Sequence, residues 1–592
     1  MGGDGGCVYD EIDGLKKGGG FHQQDGYISV VDSFFRNNTA GSSNEEAEDP
    51  VGEGGAVSFV DCRGSFDVLE ACGENGTVFH VSLLLFRGGA VMISSLSVPF
   101  QVELRRCTFE NSTTGEAIED DPQGEGGAIA IGQFATVVVA ESRFMRSLCG
   151  KKGGVINMSN GVDWNEGPVT ILRNSTFVYN EASLDNGGVV NVGSYGLLLV
   201  EGGDNVFAFS QAPISGGVLA ATTDTRIIVE GGDFHDNDAE KGGVVWTRGN
   251  LTVLDGVFRG NVASLGGGVV FASADSSVAV RGGMFKGNRA KDGGVAQVDF
   301  GAEVLVEGGE YSRNFAANNG GVLFSIRTSN LEITGGSFFA NSADWGGFLC
   351  KEGRGNVSCS GASVVGNQAV DGGGVYVVAN ATVEWARDLG ENSALSGPAI
   401  YVRESTVVVR GITLYDNVAT TGSIIFVVSG SNLRTYKVVF NDTSGGAELS
   451  AVQVDERSTY KVEDTCFKGF YGEAVVLSEG TLYLDDCDFA WSTAPVLVHS
   501  EGRTPVIRNA VLGNRNYFDS DRMPKAELLT NDKVTCDGWI EEGRDDGGSS
   551  SPCSEGSTCL DGDLGVYCVC YVRESALEQG DRTQQVCVAG EA

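Results

Sequence analysis

The chain has 592 residues, with 88 glycines, 10 prolines and a hydrophobic fraction of 41%; that is enough apolar content for a core and too much glycine for long helices. Its 79 acidic residues outnumber the 41 basic ones, for a formal charge of −38, which argues against nucleic acid, anionic lipid and polyuronates as partners. No stretch approaches the roughly 20 apolar residues of a membrane helix, so no membrane insertion by this chain is expected.

The N-terminal MGGDGGCVYD has no charged region followed by an apolar one, as a signal peptide would. It reads like the interior of a repeat, and the expectation is a chain whose true start lies upstream. Glycine pairs then recur before short apolar runs: GGAV at Gly54 and Gly88, GGAI at Gly126, GGVI at Gly153, GGVV at Gly187 and GGVL at Gly216. A second mark, an aromatic followed three residues later by Asn, stands at FFRN (Phe34) and FVYN (Phe177, with Asn180). The longer acidic stretches 40–53 and 113–125 read as loops extruded from the repeat, natural contact points because solenoid insertions cluster on a binding face.

The repeat is clearest in the middle. Phe234, Phe258, Phe285, Tyr311, Phe338, Val364, Leu389 and Leu414 are followed by Asn237, Asn261, Asn288, Asn314, Asn341, Asn367, Asn392 and Asn417, spaced 24 to 27 residues apart. One unit reads glycine pair, strand, turn, strand, glycine corner, Phe, Asn turn. A period in this range marks a solenoid. The segment from Asn to the next glycine pair has about four residues, too short for the helix of a βα solenoid. The predicted fold is therefore all-β: a right-handed parallel β-helix, pectin-lyase-like, over residues 1–515, of about 17 coils stacked at ~4.8 Å. Asn suits a left-handed turn residue, and stacked amides bond one another along a column. Residues 516–535 read as a linker and 536–592 as a disulfide-rich module.

The pairing of GGA[VIL] with FxxN resembles the repeats of the chlamydial polymorphic outer membrane proteins and of similar large extracellular β-helix proteins. The resemblance implies surface display and adhesion. It departs from the bacterial members in lacking their terminal alternating strand series, which puts that route of anchoring in doubt. PCSEGSTCLDGDLGVYCVC resembles an EGF-like module, and that resemblance implies the pairs Cys536–Cys559, Cys553–Cys568 and Cys570–Cys587. Cys350–Cys359 and Cys466–Cys487 are further candidate disulfides, with buried thiols as the alternative.

A β-helix enzyme acting on polysaccharide needs acidic and basic groups on adjacent rungs of one face. His22, His80, His235 and His499 fall in unrelated repeat positions, and no catalytic residue is assigned. Glu201, Glu230, Asp255, Arg281 and Glu307 form one column, in which Glu201 and Glu230 are the candidate pair for Ca²⁺; otherwise no cofactor is expected. Trp246, Trp345 and Trp385 occupy different repeat positions, which predicts no aromatic platform. Glycosylation sequons occur at Asn37, Asn75, Asn111, Asn157, Asn174, Asn250, Asn356, Asn380 and Asn441. The expected function is non-catalytic: an extracellular or cell-surface rod that contacts a glycan or protein ligand. A lyase or epimerase, and a spacer within a larger receptor, are the alternatives.

Overall fold

The computed structural model describes residues 100–114, 126–441, 450–470 and 475–491 as continuous backbone, with isolated strands on either side. The described residues contain strands and no helix, and the strands of the continuous stretches pair in parallel, turn upon turn, in a β-solenoid of about 13 turns. The chain divides into two compact units, Met1–Ala317 with Val322–Asn330, and Asn318–Gly321 with Leu331–Ala592. The predicted linker 516–535, the module 536–592 with its three cysteine pairs, the loop 40–53 and residues 115–125 of the second loop lie outside the described residues.

In the first unit one turn comprises Leu219–Ala221, Arg226–Val229, Asp233–His235 and Asp238–Lys241. Each strand pairs with its counterpart one turn on, so that Leu219 faces Val245, Ile227 faces Leu251, Phe234 faces Phe258 and Ala239 faces Ala263. Like residues therefore stack on like. Each turn thus has a first sheet after the glycine pair, a second sheet, a Phe sheet and a short connecting arc.

The Phe sheet fills the core of this unit. Phe109, Phe144, Phe177, Phe207, Phe234, Phe258, Phe285 and Tyr311 are each at most 1% exposed and stack nearly parallel at 4.6–4.9 Å between ring centroids. Burial is worth about 1.5–3 kcal/mol per side chain, and an aromatic pair adds about 0.5–1.5 kcal/mol. Tyr311, the one phenol in the column, donates its hydroxyl to Gly308 O at 3.1 Å.

In the second unit the column runs Phe338, Val364, Leu389, Leu414, Phe440, Phe467. Smaller side chains leave room there, and Trp385, 1% exposed, and Phe348, fully buried, occupy it. Phe348 lies 4.3 Å from Phe338 and 6.2 Å from Trp385, centroid to centroid.

The corner before the first sheet uses two glycines for two reasons. Gly242 has φ +66°, and a Cβ on Gly243 would lie 2.4 Å from Gly268 O of the next turn. The Asn turn differs from the sequence expectation. The left-handed residue is the one before each ladder asparagine: Tyr179, Asp236, Gly260, Gly287, Arg313, Ala340, Gly366, Glu391 and Asp416 all have φ between 50° and 67°. The asparagine itself keeps an ordinary backbone and commits its side chain to a ladder.

Candidate functional site

The ladder is structural. Asn180, Asn237, Asn261, Asn288, Asn314, Asn341, Asn367, Asn392 and Asn417 are at most 1% exposed. Asn261 shows the pattern: its backbone N–H and its Nδ2 both donate to Asn288 Oδ1, and Nδ2 also donates to Phe234 O. Each amide thus closes a turn against its neighbours and leaves nothing for a ligand. Serine takes the place on three turns, at Ser112, Ser147 and Ser210, and Ser147 and Ser210 donate their backbone N–H to Asn180 and Asn237. A second short ladder, Ser142, Ser175 and Asn205, lines the next corner; no repeat mark in the sequence flagged it.

Two of the four carboxylates of the acidic column are neutralised. Arg173 Nε donates to Glu201, and Arg281 Nε lies 2.7 Å from Glu307 Oε2. Glu230 follows Val229, the partner of Val200, and so neighbours Glu201 one turn away. Among the described residues no three His, Cys, Asp or Glu side chains gather closely enough to hold a metal ion. His235 Nδ1 sits 2.9 Å from Asp236 Oδ2, and its ring meets the edge of Phe209. His22, His80 and His499 lie outside the residues whose side chains are described.

Neither candidate bridge of the solenoid is formed. Register explains why. Cys350 pairs with Tyr376 on the outward side of the first sheet, whereas Cys359 pairs with core Trp385 on the inward side of the second. Cys487 pairs with buried Thr465 while Cys466 pairs with Asp488, one residue on and therefore on the opposite face. Burial pushes the Cys359 thiol up to about 11, which keeps it protonated and unreactive at neutral pH.

Of the sequon asparagines, Asn174, Asn250, Asn356 and Asn380 are exposed and Asn111 and Asn441 half-buried. Asn157 is 5% exposed and accepts a 2.8 Å hydrogen bond from Asn191 Nδ2, so the folded wall has no room for a glycan there. The side chains of Asn37 and Asn75 are outside the described residues.

The tryptophans give the clearest departure from expectation. Trp385 is core, with Nε1 donating to Arg387 O at 2.6 Å, but Trp246 belongs to an outward aromatic column. The residue four places after each corner glycine points out of the first sheet: Trp246, Phe271, Gln297 and Phe324 in the first unit, and Cys350, Tyr376, Tyr401 and Phe426 in the second. That spacing was the signal in the sequence; comparing tryptophans with one another, rather than with the Phe and Tyr at the same place, hid it. In the first unit Phe271 and Phe324 are buried, at 7% and 3% exposed, and Trp246 and Gln297 are half-buried.

In the second unit Cys350 is buried and the three rings that follow it form a continuous half-buried stack. Tyr376, Tyr401 and Phe426 are half-buried and stacked at 4.9 and 5.4 Å. Trp345, on the connecting arc, is 38% exposed and stands 6.5 Å from Tyr376 at a 36° tilt. Val370 and Leu395, 41% and 45% exposed, extend the apolar surface along the arc. Asp371 sits between the Trp345 and Ser396 rungs. Burial raises its carboxyl above the ordinary range, and among the described residues nothing donates a hydrogen bond or an ion pair to it. Burial, with Asp371 adding to it, also raises the Tyr376 and Tyr401 phenols, so both remain hydrogen-bond donors at neutral pH.

The architecture defines the class, a parallel β-solenoid whose outer wall in the second unit carries a half-buried aromatic strip with Trp345 exposed beside it. No protein-family model matches the chain, and no curated protein matches it.

Proposed function

We propose that this protein is a non-catalytic, extracellular or cell-surface adhesive solenoid, right-handed as parallel crossovers nearly always are, with an EGF-like module at residues 536–592. The observation that carries this reading is the stack of half-buried Tyr376, Tyr401 and Phe426 beside exposed Trp345, Val370 and Leu395. Contiguous exposed aromatic and aliphatic side chains mark interaction surfaces, and they are costly to leave bare. The repeat resemblance to surface-displayed β-helix proteins supports the same reading, as do the exposed sequons. Its ligand is an extracellular glycan or protein.

The test is to secrete the chain from a eukaryotic host and incubate it, with and without Ca²⁺, with pectins, alginates, neutral glycans and whole cells. The expected result is no new reducing or unsaturated ends, and retention on a surface that is lost in the Tyr376→Ala/Tyr401→Ala double variant. New chain ends would replace this reading with a lyase or hydrolase.

A further inference from the structure

We infer that the wedge between Trp345 and Tyr376, bordered by Asp371, binds an organic cation, the lysine or arginine head group of a basic protein partner. The inference rests on the adhesive reading above and names its partner. Three independent features point to it.

The first is ring geometry. Along the rest of the strip the rings stack at 4.9 and 5.4 Å and present their edges. Only at exposed Trp345 does the spacing widen to 6.5 Å with a 36° tilt, so the two rings do not cover each other's faces as the stacked pairs do. An aromatic face attracts a cation, and Trp does so best, followed by Tyr.

The second is the carboxylate. Among the described residues half-buried Asp371 has no ion pair, whereas elsewhere in this unit Glu463 is held by both Arg434 and Lys461 at 2.9 and 2.6 Å. The nearest internal cation by its effect on these phenols, Arg403, has Nε 3.6 Å from Glu404. A partly desolvated carboxylate without a partner is unfavourable in the free protein and becomes favourable once an external cation arrives.

The third is charge. At −38 the chain draws cations from a distance and repels anions. One carboxylate is too few oxygen ligands for Ca²⁺ or Mg²⁺, which require six or more, so the cation is organic. Exposed Val370 and Leu395 beside the wedge suit the alkyl stem of a lysine or arginine, whose charged head reaches past it. An amino sugar lacks that stem.

The experiment titrates the full chain with a tetralysine peptide by calorimetry, alongside tetraglutamate and a glucosamine tetramer, in wild type and in Asp371→Asn, Trp345→Leu and Asp344→Asn. The expected result is tetralysine binding that falls about tenfold in Asp371→Asn and in Trp345→Leu, and is unchanged in Asp344→Asn, the carboxylate adjacent to Trp345 in sequence. Asp371→Asn is also expected to melt no lower than wild type, because it removes an uncompensated charge; loss of binding without loss of stability separates a ligand role from a structural one. Equal binding by wild type and Asp371→Asn, or a loss of the same size in Asp344→Asn, overturns the site as diffuse attraction. Preference for the glucosamine tetramer overturns the protein partner. If cells retain Asp371→Asn as well as wild type, the adhesive reading stands and the cation site falls. If tetralysine binds as expected and no surface retains the chain, the site stands and adhesion falls.

Discussion

At Gly243 an added methyl would lie 2.4 Å from Gly268 O and 2.6 Å from Val262 O, backbone atoms that the neighbouring turn holds in place. Gly243→Ala is expected to lower stability by about 1–3 kcal/mol, read from the urea midpoint. The opposite change helps where a side chain already sits in a left-handed backbone: Ala340 has φ 54°, and Ala340→Gly should raise stability by up to about 1 kcal/mol in the same measurement. Lys351 is a different kind of exception. It faces inward on a strand whose partner there is Val377, is fully buried, and donates to Arg354 O at 3.0 Å. Burial holds its ammonium down to about 8, from 10.5. Between those values the unfolded chain holds the proton and the folded chain does not, so stability should rise as pH climbs from about 8 to 10.5. Below pH 8 the charged form burdens the fold by on the order of 3 kcal/mol. Lys351→Met should therefore be more stable than wild type at pH 7 and should flatten the rise; urea midpoints from pH 7 to 10.5 check both. The inward register of Lys351 was not legible beforehand, because LCKEG reads equally well with the lysine facing out.

Among elements, the asparagine ladder is the most specific. Asn288 receives the backbone N–H and Nδ2 of Asn261 and donates to Phe258 O and Asn314 Oδ1. Asn288→Ala strands several buried groups at about 1–3 kcal/mol each. Asn288→Ser should be milder, since Ser147 and Ser210 hold that place on other turns. Amide exchange should show the loss confined to the flanking turns, as nearest-neighbour coupling in a solenoid requires. The ladder, the Phe column and the glycine corners were legible in the sequence because each depends on one residue type at a fixed period. The outward column was not, since its places hold Trp, Phe, Gln, Cys and Tyr in turn. There only the position repeats, and chemistry varies from turn to turn because packing in the core does not fix it. The candidate bridges failed for a related reason: proximity in sequence says nothing about which side of the wall a thiol takes.

For the molecule as a whole, a charge of −38 is a self-repulsion that the Arg–Glu rows relieve only in part. Raising NaCl from low ionic strength to about 0.5 M should therefore raise the thermal midpoint, since screening removes long-range repulsion while the ion pairs it weakens are exposed and contribute little. A falling midpoint would show that those pairs carry more than their exposure suggests. The solenoid was readable from the repeat alone; the outward strip required the register that brings a scattered set of aromatics together. The sealed amides also bear on how the protein ages. A ladder asparagine that hydrolysed to aspartate would lose its donor and become an acceptor only, breaking the rung it belongs to, yet folding shields those amides from water. In an old sample deamidation should gather at exposed Asn174, Asn250, Asn356 and Asn380, so aspartate at a ladder position would record that its turn had once come open.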